Sequence, residues 1–434
     1  MATLTPVATK TTEEKYRDYL ITSFVKAVQP IVIERGEAAV VFDDKGQSYI
    51  DCFAGISVVN AGHSNPEVIA AAREQMEKLV HCCSYVYHVK AVADLAEKMA
   101  EITPGRLQKT FFANSGAEAI EGALKLARLY TGKKEVVSLE MSFHGRTHMT
   151  LSVTGNSGRK KRGGPYASGV AFAPAPYLYR STWKDDEQCA EECAKAVDNV
   201  IRYHTSGDVA AFLAEPVMGE GGIIVPPRSY FQRVKEVLDR HGILFIADEV
   251  QSGFGRTGKM FAIEHYGVEP DILCTAKGIA DGFPLGGFTA RPEIADSFQP
   301  GDHLSTFGGN PVSCAAALAS INFMQKQDLP QQSLEKGKYT IDKLKRMQGR
   351  LPIIGDVRGL GFMIGIELVE DAKKTPAAAK AESVRSACLR EGVLVGVGGV
   401  FGNVVRLQPP LVITRAQLDQ ALDVLEKVLK EVSS

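Results

Sequence analysis

The chain has 434 residues, of which 45% are hydrophobic and 23% are charged, and this composition is typical of a globular protein rather than a disordered one. Its 50 Lys and Arg against 51 Asp and Glu give a net charge of -1, so no basic field is available to bind nucleic acid. The eight cysteines match neither a disulfide framework nor a standard zinc site. With no apolar run near the roughly 20 residues of a membrane helix and no signal-peptide stretch in residues 1–20, we expect a soluble cytoplasmic protein.

Hydrophobic periodicity predicts an N-terminal arm followed by a long stretch in which strands and helices alternate. Residues 1–35 favour an arm with a short helix, and Ile69, Ala72, Met76 and Leu79 recur at helical spacing within 66–80. Short apolar runs predict buried strands at residues 109–113, 135–139, 209–214, 243–247 and 272–275, with helices at 117–130 and 230–241 among them. This alternation indicates an α/β fold with a mostly parallel central sheet, which places ligands at the carboxyl ends of its strands.

The pattern changes after residue 325 and indicates a smaller α+β domain. Helices are predicted at 331–347 and 376–391, and strands at 362–368, 393–397 and 404–407. Thr414 and Gln417 form a capping-box signature before a final helix with a leucine-rich face. We therefore expect an N-terminal segment (1–60) that packs with the small domain, a large domain (61–325) and a small C-terminal domain (326–434).

Two charged residues follow predicted buried strands. Asp248 comes directly after the run 243–247, where it is either a capping or salt-bridged carboxylate, or one kept ionised by a cationic ligand atom. Lys277 lies just beyond the run 272–275, where it is either a lysine that extends to solvent or a buried amine. Burial would lower the pKa of that amine and make it a nucleophile toward a carbonyl.

Two further segments could bind a ligand. Ser115 and Gly116 open a predicted helix whose first N–H groups could bind phosphate, although a well-capped helix has the same pattern. Phe143, His144 and Arg146 could stack on a planar ring and clamp a carboxylate. His144 and His148 lie four residues apart, but no acidic ligand accompanies them and Gly145 favours a loop, so we expect no metal.

A glycine pattern at residues 253–258 matches the dinucleotide motif G-x-G-x-x-G, but weakly, because five residues separate it from the preceding strand. The other candidates form a coherent set within one α/β domain. Pyridoxal phosphate (PLP) needs a lysine amine for its aldehyde, a carboxylate for its pyridinium nitrogen and a helix terminus for its phosphate. Lys277, Asp248 and the segment from Ser115 meet these needs.

With these motifs the chain resembles the class III (ω-) aminotransferases of PLP fold type I over essentially its whole length. The matching segments are 51–56, 62–63, 114–119, 143–147, 215–216, 219–222, 248–258, 277–278 and 306–311. The resemblance implies a large domain with a mostly parallel sheet and a smaller α+β domain. It also assigns the glycine pattern at 253–258 to the family signature.

The resemblance also implies roles for individual residues. Lys277 would form the Schiff base and transfer the proton, and Asp248 would pair with the pyridinium nitrogen. Thr306 would reach the phosphate of the neighbouring subunit, which implies a homodimer. The remaining cofactor-binding residues would be Ser115, Gly116, Ala117, Phe143, His144, Val250 and Gln251.

Within the family, the motifs are most similar to those of 4-aminobutyrate aminotransferases. By that resemblance Ile56 and Arg146 would bind an ω-amino acid donor, and Arg406 would bind the α-carboxylate of glutamate or 2-oxoglutarate. Glu220 would pair with Arg406 when the donor is bound, which spares an unpaired buried charge. Ala117, Ala276 and Met218 depart from the common pattern and put the substrate in doubt.

Four alternatives remain open at the level of sequence. An amino-acid racemase or epimerase of the same family would use the same Lys277 and Asp248. An alanine or β-alanine aminotransferase that uses pyruvate or glyoxylate fits segments around 174–193. A nicotinamide-dependent dehydrogenase depends on the weak glycine pattern alone, and a non-catalytic interaction protein would not need the full set of site residues.

Overall fold

The computed structural model describes residues 10–23 and 28–433, and the parts of the predicted arm at 1–9 and 24–27 lie outside the described residues. The strands are β1 (Ile33–Glu37), β2 (Val40–Asp43), β3 (Ser48–Asp51), β4 (Lys109–Ala113), β5 (Glu135–Leu139), β6 (Val170–Ala173), β7 (Val209–Ala214), β8 (Leu244–Asp248), β9 (Ile272–Thr275), β10 (Gly286–Ala290), β11 (Ile354–Leu360), β12 (Met363–Leu368), β13 (Val393–Leu394), β14 (Gly396–Gly398) and β15 (Val404–Leu407). The helices are α1 (Thr12–Tyr19), α2 (Ala54–Ser57), α3 (Pro66–Lys78), α4 (Lys90–Ile102), α5 (Gly116–Thr131), α6 (His148–Ser152), α7 (Asp186–Tyr203), α8 (Tyr230–His241), α9 (Pro292–Ala295), α10 (Pro311–Lys326), α11 (Leu329–Gln348), α12 (Ala378–Arg390) and α13 (Arg415–Ser433).

The central sheet has seven strands in the order β4-β10-β9-β8-β7-β5-β6. All pairs from β9 to β6 are parallel, and β10 runs antiparallel to both of its neighbours, β4 and β9. The α/β prediction is therefore confirmed, and the five predicted strands are present. The sequence patterns missed β6 and β10. Strand β10 begins with two glycines, which are typical of a loop.

Helices cover both faces of this sheet. Successive residues of β8 point to opposite faces, so Phe245 and Ile246 belong to different apolar layers. Phe231 of α8 stacks on Phe245 with ring centroids 5.6 Å apart. On the other face, Ile120 of α5 packs in the same cluster as Ile246. The buried sheet leaves its strand ends as the place where polar side chains can gather.

The C-terminal part forms a second, antiparallel sheet in the order β11-β12-β15-β14. Helix α13 packs against α12 and α11 and buries its predicted leucine face, and the predicted capping box is present, since the Gln417 N–H donates to Thr414 Oγ1 at 3.2 Å and the Thr414 N–H donates to Gln417 Oε1 at 3.0 Å. The prediction of one continuous strand at 393–397 was wrong. Residues 393–394 pair with β3, whereas 396–398 pair with β15.

The N-terminal strands join the C-terminal part of the chain. β1, β2 and β3 form an antiparallel ribbon, and β3 pairs in parallel with β13. The predicted domain boundaries at residues 60 and 325 stay predictions. Among the described residues, no helix is both long and apolar enough to cross a membrane, and the cytoplasmic location also stays a prediction.

Helix α3 is present where periodicity predicts it, but its apolar stripe is only partly buried. Val68 and Ala72 pack against Ala316 of α10. Ile69, Met76 and Leu79 are exposed on the surface of the protomer. A stripe of large apolar residues left in solvent indicates a surface that another molecule could cover.

Candidate active site

The candidate residues gather where β4, β8 and β9 end. These strands run in the same direction in one sheet, so their carboxyl ends lie at the same edge. Asp248 ends β8, Lys277 follows β9 by two residues, and Ser115 follows β4 by two residues. A Cβ at Gly116 would come within 2.8 Å of Val250, which shows how closely the two segments approach.

Asp248 is buried and hydrogen-bonded to a single histidine. Its Oδ2 lies 2.7 Å from His144 Nδ1, and its Oδ1 accepts from the Val250 N–H at 3.1 Å. The other ring nitrogen of His144 lies 3.2 Å from Ser138 Oγ on β5. The histidine is therefore held from both sides, and it in turn orients the Asp248 carboxylate.

Lys277 has two unusual properties for a lysine. Its φ of +49° lies in the left-handed region, which costs a residue with a Cβ about 1 kcal/mol or more. Burial lowers the pKa of its amine, although the negative charges of Glu220, Asp248 and Glu215 oppose that shift. A strained backbone and a lowered pKa at a strand end are expected of a reactive amine.

The glycines near Lys277 make room for protein atoms rather than for a ligand. A Cβ at Gly278 would come within 2.5 Å of the Asn60 amide, and one at Gly286 within 2.4 Å of the Ser115 carbonyl. The absence of a side chain at Gly278 therefore lets the N-terminal segment pack against the Lys277 turn. Its absence at Gly286 lets β10 approach the loop between β4 and α5.

The N-terminus of α5 is available to an anion. Ser115 is the N-cap, and its Oγ accepts from the Glu118 N–H at 3.3 Å. Gly116 and Ala117 begin the helix, where backbone N–H groups have no partner within the helix. Sixteen residues of helix follow, so the positive end of the helix dipole adds to this site.

Glu215 holds two site loops together, a role that the sequence analysis did not assign. Its two carboxylate oxygens accept from the N–H groups of Phe143, at 2.9 Å, and Gly219, at 2.8 Å. Burial raises the pKa of Glu215 to about 7, and Asp248 adds to that rise. Its place directly after β7 was a usable signal, because Asp248 was found after β8 by the same rule.

Glu220 lies between two arginines. Its Oε1 is 2.6 Å from Arg406 Nη1, and its Oε2 is 3.4 Å from Arg159 Nη2. Burial alone would raise the pKa of Glu220, but the charge and hydrogen bond of Arg406, together with the charges of Lys277 and Arg159, outweigh it and the pKa is lowered. The predicted Glu220–Arg406 pair is thus present, and Arg159 is an addition that no sequence motif indicated.

Gln251 and Ile56 are two further residues that the sequence predicts at the site. Gln251 Oε1 accepts from the Gln408 side chain at 3.0 Å, a partner that the sequence analysis missed. Ile56 lies in a left-handed turn that spans 54–57, with φ of +70° at Ile56 itself. The turn is held by Asp51, whose Oδ1 accepts from the N–H groups of Phe53 and Ala54. The Phe53 ring lies 5.3 Å from the Arg406 guanidinium.

Two predicted site residues lie at the surface of the protomer. Arg146 is exposed on the loop before α6, and Thr306 is exposed on the loop before α10. Asn114 Nδ2 donates to Ser305 Oγ at 3.3 Å, which links the Thr306 loop to the start of α5. The roles predicted for Arg146 and Thr306 stay predictions.

The glycine pattern at 253–258 surrounds a buried arginine rather than a dinucleotide site. Arg256 donates to the Phe362 and Pro409 carbonyls and to Asn60 Oδ1. Burial lowers the pKa of Arg256 to about 9. This arginine therefore joins the N-terminal segment to the C-terminal part behind the site.

Comparison with known proteins gives consistent results. The family model described as aminotransferase class-III matches residues 23–429. The chain is 40% identical to an acetylornithine aminotransferase of Methanothermobacter thermautotrophicus, covering 96% of this chain and 98% of that one. It is 39% identical to a 4-aminobutyrate aminotransferase of Mycobacterium leprae, covering 92% and 91%. It is 40% identical to a leucine/methionine racemase of Thermococcus litoralis, covering 93% and 91%.

A solved structure matches over nearly the whole chain. An amine transaminase from an uncultivated Pseudomonas species, in a PLP-bound form, superposes with a TM-score of 0.89 at 34% identity. The match covers 95% of this chain and 98% of that one. The similarity therefore extends through the central sheet and the C-terminal sheet together.

Proposed function

Since the chain belongs to the class III aminotransferases, which are PLP-dependent enzymes, we propose that it transfers the amino group of an ω-amino acid, 4-aminobutyrate or a close analogue, to 2-oxoglutarate. The observation that carries this proposal is the buried Glu220–Arg406 pair, at 2.6 Å beside Lys277. In such a pair, the glutamate neutralises the arginine when a monocarboxylate is bound and leaves it when a dicarboxylate needs the arginine for its second carboxylate.

The residues at the sheet edge fit PLP. The Lys277 amine has a lowered pKa, and the Asp248 carboxylate is buried beside His144. The N-terminus of α5 offers backbone N–H groups, and a Cβ at Gly116 would fill the space beside Val250. We propose that Lys277 binds the aldehyde and that Asp248 binds the ring nitrogen. The phosphate would lie at Ser115, Gly116 and Ala117. The residues around the ring would be Phe143, His144, Val250 and Gln251.

When bound, PLP supplies an aldehyde that bonds to amines and a ring that accepts electrons from the substrate carbon. Lys277 Nζ is proposed to accept the proton from the substrate carbon that bears the amino group, since a lowered pKa leaves more of the amine neutral. The Asp248 carboxylate would face the positive ring nitrogen, and His144 holds it in that orientation.

The substrate carboxylates are proposed to bind on two sides. Arg406 would bind the α-carboxylate of the dicarboxylate after Glu220 leaves it. Arg146 would bind the carboxylate of the ω-amino donor, with Ile56 beside the chain of the substrate. Exchange of partners on Arg406 avoids a buried charge without a counter-ion in either half-reaction.

We also propose a homodimer in which Thr306 completes the active site of the neighbouring subunit. The exposed position of Thr306 and of its neighbour Phe307 supports this proposal. So do the exposed apolar residues of α3, since a protomer surface with Ile69 and Met76 in water favours burial against another protomer.

A racemase is the second candidate, and the 40% identity to a leucine/methionine racemase favours it. In that reaction Lys277 would return a proton to the carbon from which one was taken. The Glu220–Arg406 exchange would not be needed, because no dicarboxylate substrate takes part. An alanine or β-alanine aminotransferase is a third outcome that the same experiment distinguishes.

The test is an absorption titration of the PLP-loaded protein with single amino donors and no keto acid. 4-Aminobutyrate, β-alanine, ornithine, alanine and leucine are added separately, and we expect an ω-amino donor to convert the cofactor to its aminated form. The Lys277→Ala variant should not turn over, and the exposed-site control Lys161→Ala should behave as wild type. Conversion by alanine alone would overturn the ω-amino preference, and loss of handedness of leucine without conversion would establish the racemase.

A further inference from the structure

We propose that Arg159 is a positioning residue that receives the Glu220 carboxylate when Arg406 releases it to bind a dicarboxylate substrate. The inference rests on the proposed function, because it requires a site that accepts monocarboxylates and dicarboxylates in turn. It goes further by stating where the displaced carboxylate goes.

The first observation is that the two oxygens of Glu220 have different partners. Oε1 lies 2.6 Å from Arg406 Nη1, whereas Oε2 lies 3.4 Å from Arg159 Nη2. The shorter contact is made to the buried arginine. Glu220 is therefore in the position that neutralises Arg406, and Arg159 is already within ion-pair distance on the other side.

The second observation is a gradient of exposure along the three side chains. The Arg406 side chain is 0% exposed, that of Glu220 is 8% exposed, and that of Arg159 is 38% exposed. Arg159 lines a cavity of about 1110 Å³, which Phe53 and Val397 also line. Rotation of Glu220 away from Arg406 and toward Arg159 thus moves its carboxylate outward, toward open space.

The third observation is that the backbone of the Glu220 turn is held from both sides. The Gly399 N–H donates to the Glu220 carbonyl at 3.2 Å. The Arg358 guanidinium donates to the carbonyls of Gly222, at 2.6 Å, and Ile223, at 2.9 Å. Because the main chain is fixed, rotation of the side chain is the movement available to Glu220.

Arg159 itself is presented by a structured segment. It lies in the 3-10 turn Ser157–Lys160, which Asn156 caps by accepting from the Gly158 N–H at 3.1 Å. The Arg159 N–H donates to the Asn156 carbonyl at 3.1 Å, and its guanidinium lies 5.8 Å from the Phe143 ring centroid. The second cation is therefore held at the mouth of the site.

The physical reason for a second cation is the cost of separating a buried carboxylate from its partner. With Arg159 present, Glu220 exchanges one arginine for another. With a neutral residue there, it must leave Arg406 without a second guanidinium to receive it. We expect the loss of Arg159 to weaken dicarboxylate binding by about tenfold and to leave monocarboxylate binding unchanged, because Glu220 then stays on Arg406.

The experiment compares Arg159→Gln with Arg162→Gln, a change of the same kind at an exposed position on the same loop. Calorimetry on the PLP-loaded protein measures the Kd of glutarate, an unreactive dicarboxylate, and of butyrate, an unreactive monocarboxylate. We expect a tenfold weaker glutarate Kd in Arg159→Gln only, an unchanged butyrate Kd, and recovery of glutarate binding in Arg159→Lys. The KM for glutamate should rise by the same factor.

Several results would overturn the inference. Equal weakening of glutarate and butyrate would show a general electrostatic effect, and weakening of butyrate alone would make Arg159 a monocarboxylate ligand. An unchanged glutarate Kd in Arg159→Gln, or a wild type that does not bind glutarate, would also contradict it. A protein that binds glutarate with the expected pattern but aminates its cofactor from no ω-amino donor would overturn the proposed function alone.

Discussion

Glu215 and Glu220, at the two ends of the turn that follows β7, are almost equally buried, yet their pKa values are shifted in opposite directions. Glu215 is 5% exposed and Glu220 is 8% exposed. Burial raises the pKa of Glu215 to about 7, and the hydrogen bonds from the N–H groups of Phe143 and Gly219, which act to lower it, do not outweigh burial. Arg406 lowers the pKa of Glu220 despite the same burial. The neighbouring arginine, rather than a difference in burial, therefore accounts for the opposite directions of the two pKa shifts.

The difference extends to the regions around the two residues. Glu215 fixes the Phe143 loop, next to the Asp248–His144 pair, in which each group has a set position. Glu220 faces two arginines at different distances, so its carboxylate has two possible ion-pair partners. In the proposed function, the first region holds the cofactor in one arrangement, and the second binds two substrates of different charge in turn.

The largest effect is expected in the fixed region. Asp248→Asn should lower kcat on the order of a thousandfold, because a neutral amide cannot stabilise a positive ring nitrogen. His144→Asn should lower it roughly tenfold, since the main effect expected of the histidine is to orient Asp248. Steady-state kinetics with the best donor measures both, with the exposed Asp423→Asn as control. A His144 effect as large as that of Asp248 would mean that the histidine acts on the cofactor directly.

A different kind of effect is expected at Glu220. In Glu220→Gln, Arg406 loses its carboxylate partner and its charge stays available to any substrate. The ratio of kcat/KM for an ω-amino monocarboxylate to that for glutamate should therefore fall, by about a hundredfold. Glu382→Gln, an exposed change in the wall of the cavity that Arg159 lines, should keep the wild-type ratio. A ratio that does not move would show that Glu220 has no part in substrate choice.

The smallest effect concerns pH and Glu215. A carboxyl whose pKa is about 7 in the folded state and 4.5 in the unfolded chain binds its proton more tightly when folded, so its contribution to stability is lost as pH rises. Between pH 5.5 and 8 this amounts to about 2 kcal/mol. Glu215→Gln should remove that part of the pH dependence of the free energy of unfolding in denaturant. Exposed Glu431→Gln should retain it, and an equal slope in Glu215→Gln would refute the raised pKa.

Much of the cofactor-side arrangement could be predicted from the sequence. Apolar runs predicted the strands that end at Asp248 and precede Lys277, and a parallel sheet brings such ends together. The rule worked because burial in a parallel sheet requires continuous apolar residues, which are visible in the sequence. The rule did not predict strand β10, because its glycines lack the apolar side chains that mark a buried strand. Those glycines allow close approach to Ser115.

The neighbours across elements could not be predicted in this way. Arg159 belongs to a run of four basic residues that reads as a solvated loop, and only the fold places its guanidinium beside Glu220. Gln408 likewise reaches Gln251 from the C-terminal part. Arg256, within the glycine pattern, binds carbonyls that are distant in sequence.

The sequence by itself determined the α/β class, the family and the chemical types at the site, because local patterns of burial and motif spacing depend on neighbours in the chain. Only the tertiary structure decided which charges meet. The pKa of a buried carboxyl depends on cations a few ångströms away, and for Glu220 those cations come from residues 61 positions earlier and 186 positions later in the chain.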